Sequence, residues 1–101
     1  MRMLLKAIMD TEAGNQDSQA GTIVENTTRL VEALKPEAAY FVVEEGRRSC
    51  LVVFDMQDSS QIPAICEPLF LGAQSRITLS PCMTLEDLTT GFSQFQRSQA
   101  G

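Results

Sequence analysis

The sequence predicts an α+β domain with the element order βαββαβ and a short helix at its end. Three observations point there. Apolar residues alternate with a period of two near residues 2–9 and 75–82, and short apolar runs rich in aromatic and β-branched residues fill 38–45 and 49–56, as half-buried and fully covered strands require. Between them, near 16–35 and 58–72, apolar residues recur at helical spacing. Turn and stop residues, among them Pro36, Gly46 and Gly72, separate the segments.

The first strand places Met3, Leu5, Ala7 and Met9 on one face and Arg2, Leu4, Lys6 and Ile8 on the other. Lys6 is the odd member. It reads either as a lysine snorkelling at a sheet edge or interface, or as a cation set to meet an anionic ligand. Residues 10–19 are polar and contain Gly14-Asn15, so they read as a loop leading into a helix over 16–35. The stripe of that helix is Ile23, Thr27, Leu30, Val31 and Leu34, weakened by Gly21 near its start and stopped by Pro36.

Aromatic and β-branched residues fill the second strand, 38–45. A turn around Gly46 leads into the third, 49–56, whose nearly continuous apolar run calls for cover on both faces. A small sheet of this order has helices on one face only, so a second chain is the simplest cover for the other. Asp58 and Gln61 form a capping box before a helix with the stripe Ile62, Ile65, Cys66, Leu69 and Phe70. Pro63 fits the first turn, Pro68 is expected to kink or shorten the helix, and Gly72 to end it. The fourth strand, 75–82, carries Pro81, which suits an edge or a strand end. Thr84 caps a last helix striped by Leu85, Leu88, Phe92 and Phe95, with a polar tail over 95–101 that is expected to fray. Two split βαβ units joined in this way make the ferredoxin-like arrangement, a four-stranded antiparallel sheet in one domain over 1–101.

Composition narrows function mainly by exclusion. The 101 residues carry no histidine, which removes histidine bases, histidine triads and histidine ligation of metal or haem. Cys50, Cys66 and Cys82 show neither disulfide nor zinc spacing and read as three buried, reduced thiols. No metal and no cofactor is expected. A net charge of -5 opposes phosphate backbones. Gly46-Arg47-Arg48-Ser49-Cys50-Leu51 also lacks the paired stacking aromatics of an RNA-recognition strand, so nucleic acid is not an expected partner. No run approaches the ~20 apolar residues of a membrane span, and Lys6 breaks the first apolar stretch too early for a secretory signal. The expected location is the cytoplasm, with no membrane partner.

Several segments carry a resemblance. They are Lys35-Pro36-Glu37-Ala38-Ala39-Tyr40-Phe41, Val53-Phe54-Asp55-Met56-Gln57-Asp58, Gln61-Ile62-Pro63-Ala64-Ile65, Glu67-Pro68-Leu69-Phe70 and Pro81-Cys82-Met83-Thr84-Leu85-Glu86-Asp87-Leu88. Together they resemble a bacterial domain family of uncharacterised function within the dimeric α/β-barrel superfamily, across about half the chain, residues 35–88. The resemblance implies two ferredoxin-like chains packed sheet against sheet. It implies no particular activity, since related barrels include monooxygenases, lactone isomerases, haem-dependent enzymes and plain binding modules.

Lys6, Tyr40, Asp55 and Glu67 are the candidate ligand-binding residues. Tyr40 follows two alanines, which leaves room beside its ring, and an inward-facing Glu67 would be a proton-transfer group. Arg47 and Arg48 mark a solvated hairpin tip or an anion site. Arg76, Thr78 and Ser80 make a polar strand face that would line an interface or a small polar pocket in a sheet-to-sheet dimer. Two functions fit. One is a homodimeric small-molecule-binding or regulatory module. The other is a cofactor-independent enzyme of monooxygenase or isomerase type, using Tyr40 and Glu67 in a pocket between sheet and helices.

Overall fold

The computed structural model describes residues 1–100 and contains one four-stranded antiparallel sheet in the order β2-β3-β1-β4. The elements are β1 (Arg2–Ile8), α1 (Thr11–Ala20), α2 (Ile23–Glu32), β2 (Ala38–Glu44), β3 (Arg47–Asp55), α3 (Ile62–Ala73), β4 (Arg76–Pro81) and α4 (Leu85–Ala100). This is the ferredoxin-like sheet, with β1 and β3 at its centre and β2 and β4 at its edges. Pro81 closes the edge strand β4, where no ladder partner needs its missing N–H.

Alternation sets the core. Met3, Leu5 and Ala7 of β1 stand opposite Phe54, Val52 and Cys50 of β3 on the helix side of the sheet. Leu5 and Val52 are the most enclosed, at 1% and 0% exposure, and Leu69 of α3 completes the cluster with them. Leu30, Val31 and Leu34 of the α2 segment and Ile65 of α3 pack against it.

The stretch after β1 differs from expectation. Residues 10–35 form two helices rather than a loop and one long helix. Asp10 is a true N-cap, its side chain accepting from the Ala13 N–H at 3.1 Å. Gly21 is not a weak point inside a helix. At φ +77° it ends α1, and its N–H bonds back to the Asp17 and Ser18 carbonyls. α1 has no apolar stripe, so its sequence lacks the periodicity that revealed the other helices. Gly14 is buried where α1 meets the sheet, and a Cβ there would lie 2.7 Å from Arg48 Nη1 and Met9 Sδ.

The Asp58–Gln61 capping box is present, and it starts a 3-10 turn (Ser59–Gln61) that runs into α3. Pro68 lies inside α3 without ending it. The helix passes Gly72 and stops at Gln74, which takes the left-handed conformation at φ +47°. Cys66 is buried, whereas Cys50 and Cys82 are half-buried; all three are free thiols. Burial pushes the Cys50 thiol up, and burial followed by the nearby Glu67 charge does the same for Cys66.

Thr84 and Asp87 bond reciprocally at 3.1 Å and start α4, which continues to Ala100 through the stretch expected to fray; Gly101 lies outside the described residues. No residue of α4 is buried. The helix projects from the sheet, giving the chain extents of 61 × 29 × 18 Å and a radius of gyration of 16.8 Å. A compact chain of this length has a radius near ~13 Å. No described helix is long and apolar enough to cross a membrane.

Candidate functional site

The outer face of the sheet carries three of the four candidate residues. Strand register puts Tyr40, Leu51, Lys6 and Thr78 in one row across all four strands. Leu4, Ile8, Leu51 and Val53 give the centre of this face its apolar character, and Tyr40 stands 64% exposed at its β2 edge.

Lys6 is on a central strand, not at a sheet edge. Its Nζ reaches diagonally across β3 and donates to Glu44 Oε1 at 2.6 Å. Buried Ser49 lies on that diagonal. The second Glu44 oxygen, Oε2, is buried and has no hydrogen-bond partner among the described residues. A buried carboxylate oxygen without a donor is costly, so this one invites an N–H or O–H from outside the chain. Lys6, Glu44, Arg76 and Thr78 line a basin of about 290 Å³ at this corner of the face. The basin combines two cations, one of them paired with Glu44, with a second carboxylate at Glu45, a hydroxyl and an acceptor short of one donor. Its polar groups can meet both donors and acceptors of a small molecule, with Arg76 its cation outside the Lys6–Glu44 pair. Arg76 and Thr78 stand here together, on the polar β4 face that their alternation predicted.

Asp55 lies at the far end of the outer face, bound to the Met1 ammonium at 2.7 Å. That hydrogen bond, followed by the ammonium charge, holds its carboxyl below the usual aspartate value. Glu67 belongs to the exposed part of α3, on the helix side. The sheet therefore separates Glu67 from Tyr40, and the chain does not bring that pair into one pocket.

The helix side holds a larger groove that sequence reasoning missed. It has a volume of about 530 Å³ and runs between α2 (Ile23, Val24, Thr27) and the inner face of β2 (Phe41, Val43). Arg48 is its one charged lining residue among the described residues, steadied by a bond from Nη2 to Asn15 Oδ1 at 3.1 Å. The available signal was Tyr40-Phe41-Val42-Val43, four large apolar residues in succession on an edge strand. Either face of such a strand needs cover.

No group of three or more histidine, cysteine, aspartate or glutamate side chains gathers into a metal site among the described residues. No family model matches the chain, and no curated protein matches it.

Proposed function

We propose that the protein is a homodimeric small-molecule-binding or regulatory module of the dimeric α/β-barrel type, joined through the outer faces of its sheets. The observation that carries this reading is the uncovered apolar centre of that face, built from Leu4, Ile8, Leu51 and Val53 with Tyr40 beside them. Helices lie against the other side only, and a continuous apolar surface on a soluble chain marks an interaction site. Pairing two such faces buries both at once, and the isologous contact needs only one kind of surface.

The same pairing would close the Lys6–Glu44–Arg76–Thr78 basin against solvent. Charge-assisted hydrogen bonds strengthen when water is excluded. In this reading Arg76 and Lys6 receive an anionic group, Glu44 Oε2 takes a ligand donor, and Tyr40 in the same row as Lys6 offers a ring and a hydroxyl. The ligand is a small hydroxy or amino acid, and its binding stabilises the dimer.

Light scattering on the purified chain, paired with native mass spectrometry, tests both parts. The expected result is a dimer that retains a small additional mass, which Arg76→Ala loses. Leu51→Asp is expected to give a folded monomer. A wild-type chain that stays monomeric at high concentration would defeat the pairing. A dimer unchanged by Leu51→Asp would place the interface elsewhere.

A further inference from the structure

α2 lies over the sheet without closing onto it. Its stripe residues Ile23, Leu30, Val31 and Leu34 are half-buried, and no residue of the helix is buried. Protein interiors are ordinarily filled to crystal-like density, so a helix held this loosely leaves unfilled space. The groove toward β2 has about 530 Å³, and a second cavity of about 360 Å³ opens toward α3. Leu30, Cys50 and Leu69 line both, so the two adjoin beneath the helix.

We infer that the groove between α2 and β2 binds a small apolar monocarboxylate, with its hydrocarbon part under α2 and its carboxylate on Arg48. This ligand site is separate from the basin on the outer face and from the sheet pairing proposed above, since the groove opens on the helix side.

Charge selects the occupant. The chain carries a net charge of -5, yet no aspartate or glutamate lines the groove. Arg48 is the cation there, at an exposed position, and it pairs with no carboxylate among the described residues. Its guanidinium is held instead by a neutral group, Nη2 donating to Asn15 Oδ1 at 3.1 Å. Gly14 leaves room for it, since a Cβ there would meet Nη1 at 2.7 Å. A cation positioned by a neutral partner keeps its charge for a ligand, and the arginine fork matches the two oxygens of a carboxylate.

Size and wall chemistry select the rest. The volume falls within the ~300–1,000 Å³ of small-ligand sites, which are mostly apolar with a few polar groups that fix orientation. Ile23, Val24, Leu30, Phe41 and Val43 supply apolar walls, and the other polar lining groups are uncharged hydroxyls. From Ile23 to Leu30 the helix wall runs about 10 Å at 1.5 Å per residue, a span that an extended medium-chain acid covers. A hydrocarbon chain laid there takes Phe41 and Val43, now 60% and 79% exposed, out of water.

Isothermal titration calorimetry with octanoate and with octanol tests the inference. One octanoate per chain is expected, bound about tenfold more tightly than octanol, the margin of a charge-assisted hydrogen bond. Arg48→Met is expected to bring octanoate down to the level of octanol while octanol binding stays unchanged, which also shows that the variant folds. Arg48→Lys keeps the charge and is expected to keep a preference for the acid. Thr27→Trp places a large ring in the groove and is expected to abolish binding of both, with the circular dichroism of the chain retained. Absence of octanoate binding would overturn the inference, and so would equal affinity for acid and alcohol in the wild type. Octanoate binding that Thr27→Trp leaves intact would place the acid elsewhere and also overturn it. If octanoate fails to bind and Thr27→Trp changes the subunit count in light scattering, the groove belongs to a second chain instead. A monomer that binds one octanoate would remove the sheet pairing and leave this site standing.

Discussion

The two faces of the sheet differ although the same strands build them. On the helix side, Met3, Leu5, Val52 and Phe54 are closed off completely, because α2 and α3 return across β1 and β3. On the outer side their immediate neighbours Leu4, Leu51 and Val53 are equally apolar but only half-buried. Strand alternation therefore decides which face a residue joins. Whether that face is closed depends on where the helices run, and here both crossovers lie on one side. The comparison also separates two kinds of apolar residue, those that hold the chain together and those that await a second surface.

Neighbouring substitutions on β3 would break this comparison most directly. Val52→Asp places a charge in the closed face and is expected to cost more than about 4 kcal/mol, enough to abolish the cooperative transition in a denaturant melt. Leu51→Asp, one residue away, is expected to cost only about 1 kcal/mol in the lone chain while removing the proposed dimer. Equal damage from both would mean that the outer face is a core in its own right. Leu5→Ala then measures the closed face more gently: a loss of about 2–5 kcal/mol is expected by urea denaturation, as for other enclosed leucines.

Gly21→Ala tests the break that lets α2 lie back over the sheet. No atom crowds a Cβ at that position, so the expected loss of about 1 kcal/mol comes from the left-handed backbone alone. A neutral result in a thermal melt would show that the α1–α2 joint moves freely.

The smallest expected effect is on pH. Three exposed carboxyls sit below the ordinary value of 3.8: Asp55 through its bond to the Met1 ammonium, Asp87 through the Thr84 N–H and hydroxyl, and Asp58 through the Ser60 hydroxyl and N–H. A folded pKa below the unfolded one contributes stability above the unfolded value and loses it as pH falls through the folded value. Stability is therefore expected to hold down to about pH 4 and decline further into acid. Asp55→Asn should reduce that decline, and an unchanged acid profile would remove its ion pair from the account.

Much of the fold was legible in local patterns. The alternation of Met3, Leu5 and Ala7 against Leu4, Lys6 and Ile8 gave the two faces of β1, and the run from Cys50 to Phe54 marked β3 as central. The Asp58–Gln61 box located the start of α3. Less legible was α1, whose Thr11–Ala20 sequence has no apolar period because most of it faces solvent, and whose ends are set by Asp10 and the φ of Gly21. The stop at Gln74 in place of Gly72 was equally hidden, since a left-handed glutamine leaves no compositional mark. The site was harder to read than the fold. Lys6 and Glu44 meet across 38 positions of sequence, and a local pattern carries no sign of such a pair. Glu67 read either as a solvated helix charge or as an inward-facing carboxyl among apolar neighbours, and it occupies the exposed side of α3.

β2 has a consequence for how the protein is made. The segment Ala38–Glu44 is an edge strand with Tyr40, Phe41, Val42 and Val43 exposed in turn on its two faces. Its outer rim offers unpaired N–H and C=O groups, the ingredients of strand-to-strand aggregation. A newly synthesised chain faces a kinetic choice between completing its own fold and pairing with another copy of this strand. Glu44 and Glu45 at the end of the segment act as gatekeepers, adding charge where an incoming strand would have to line up. Escape from aggregation thus depends on how quickly this strand is folded onto β3 as much as on the stability of the finished chain.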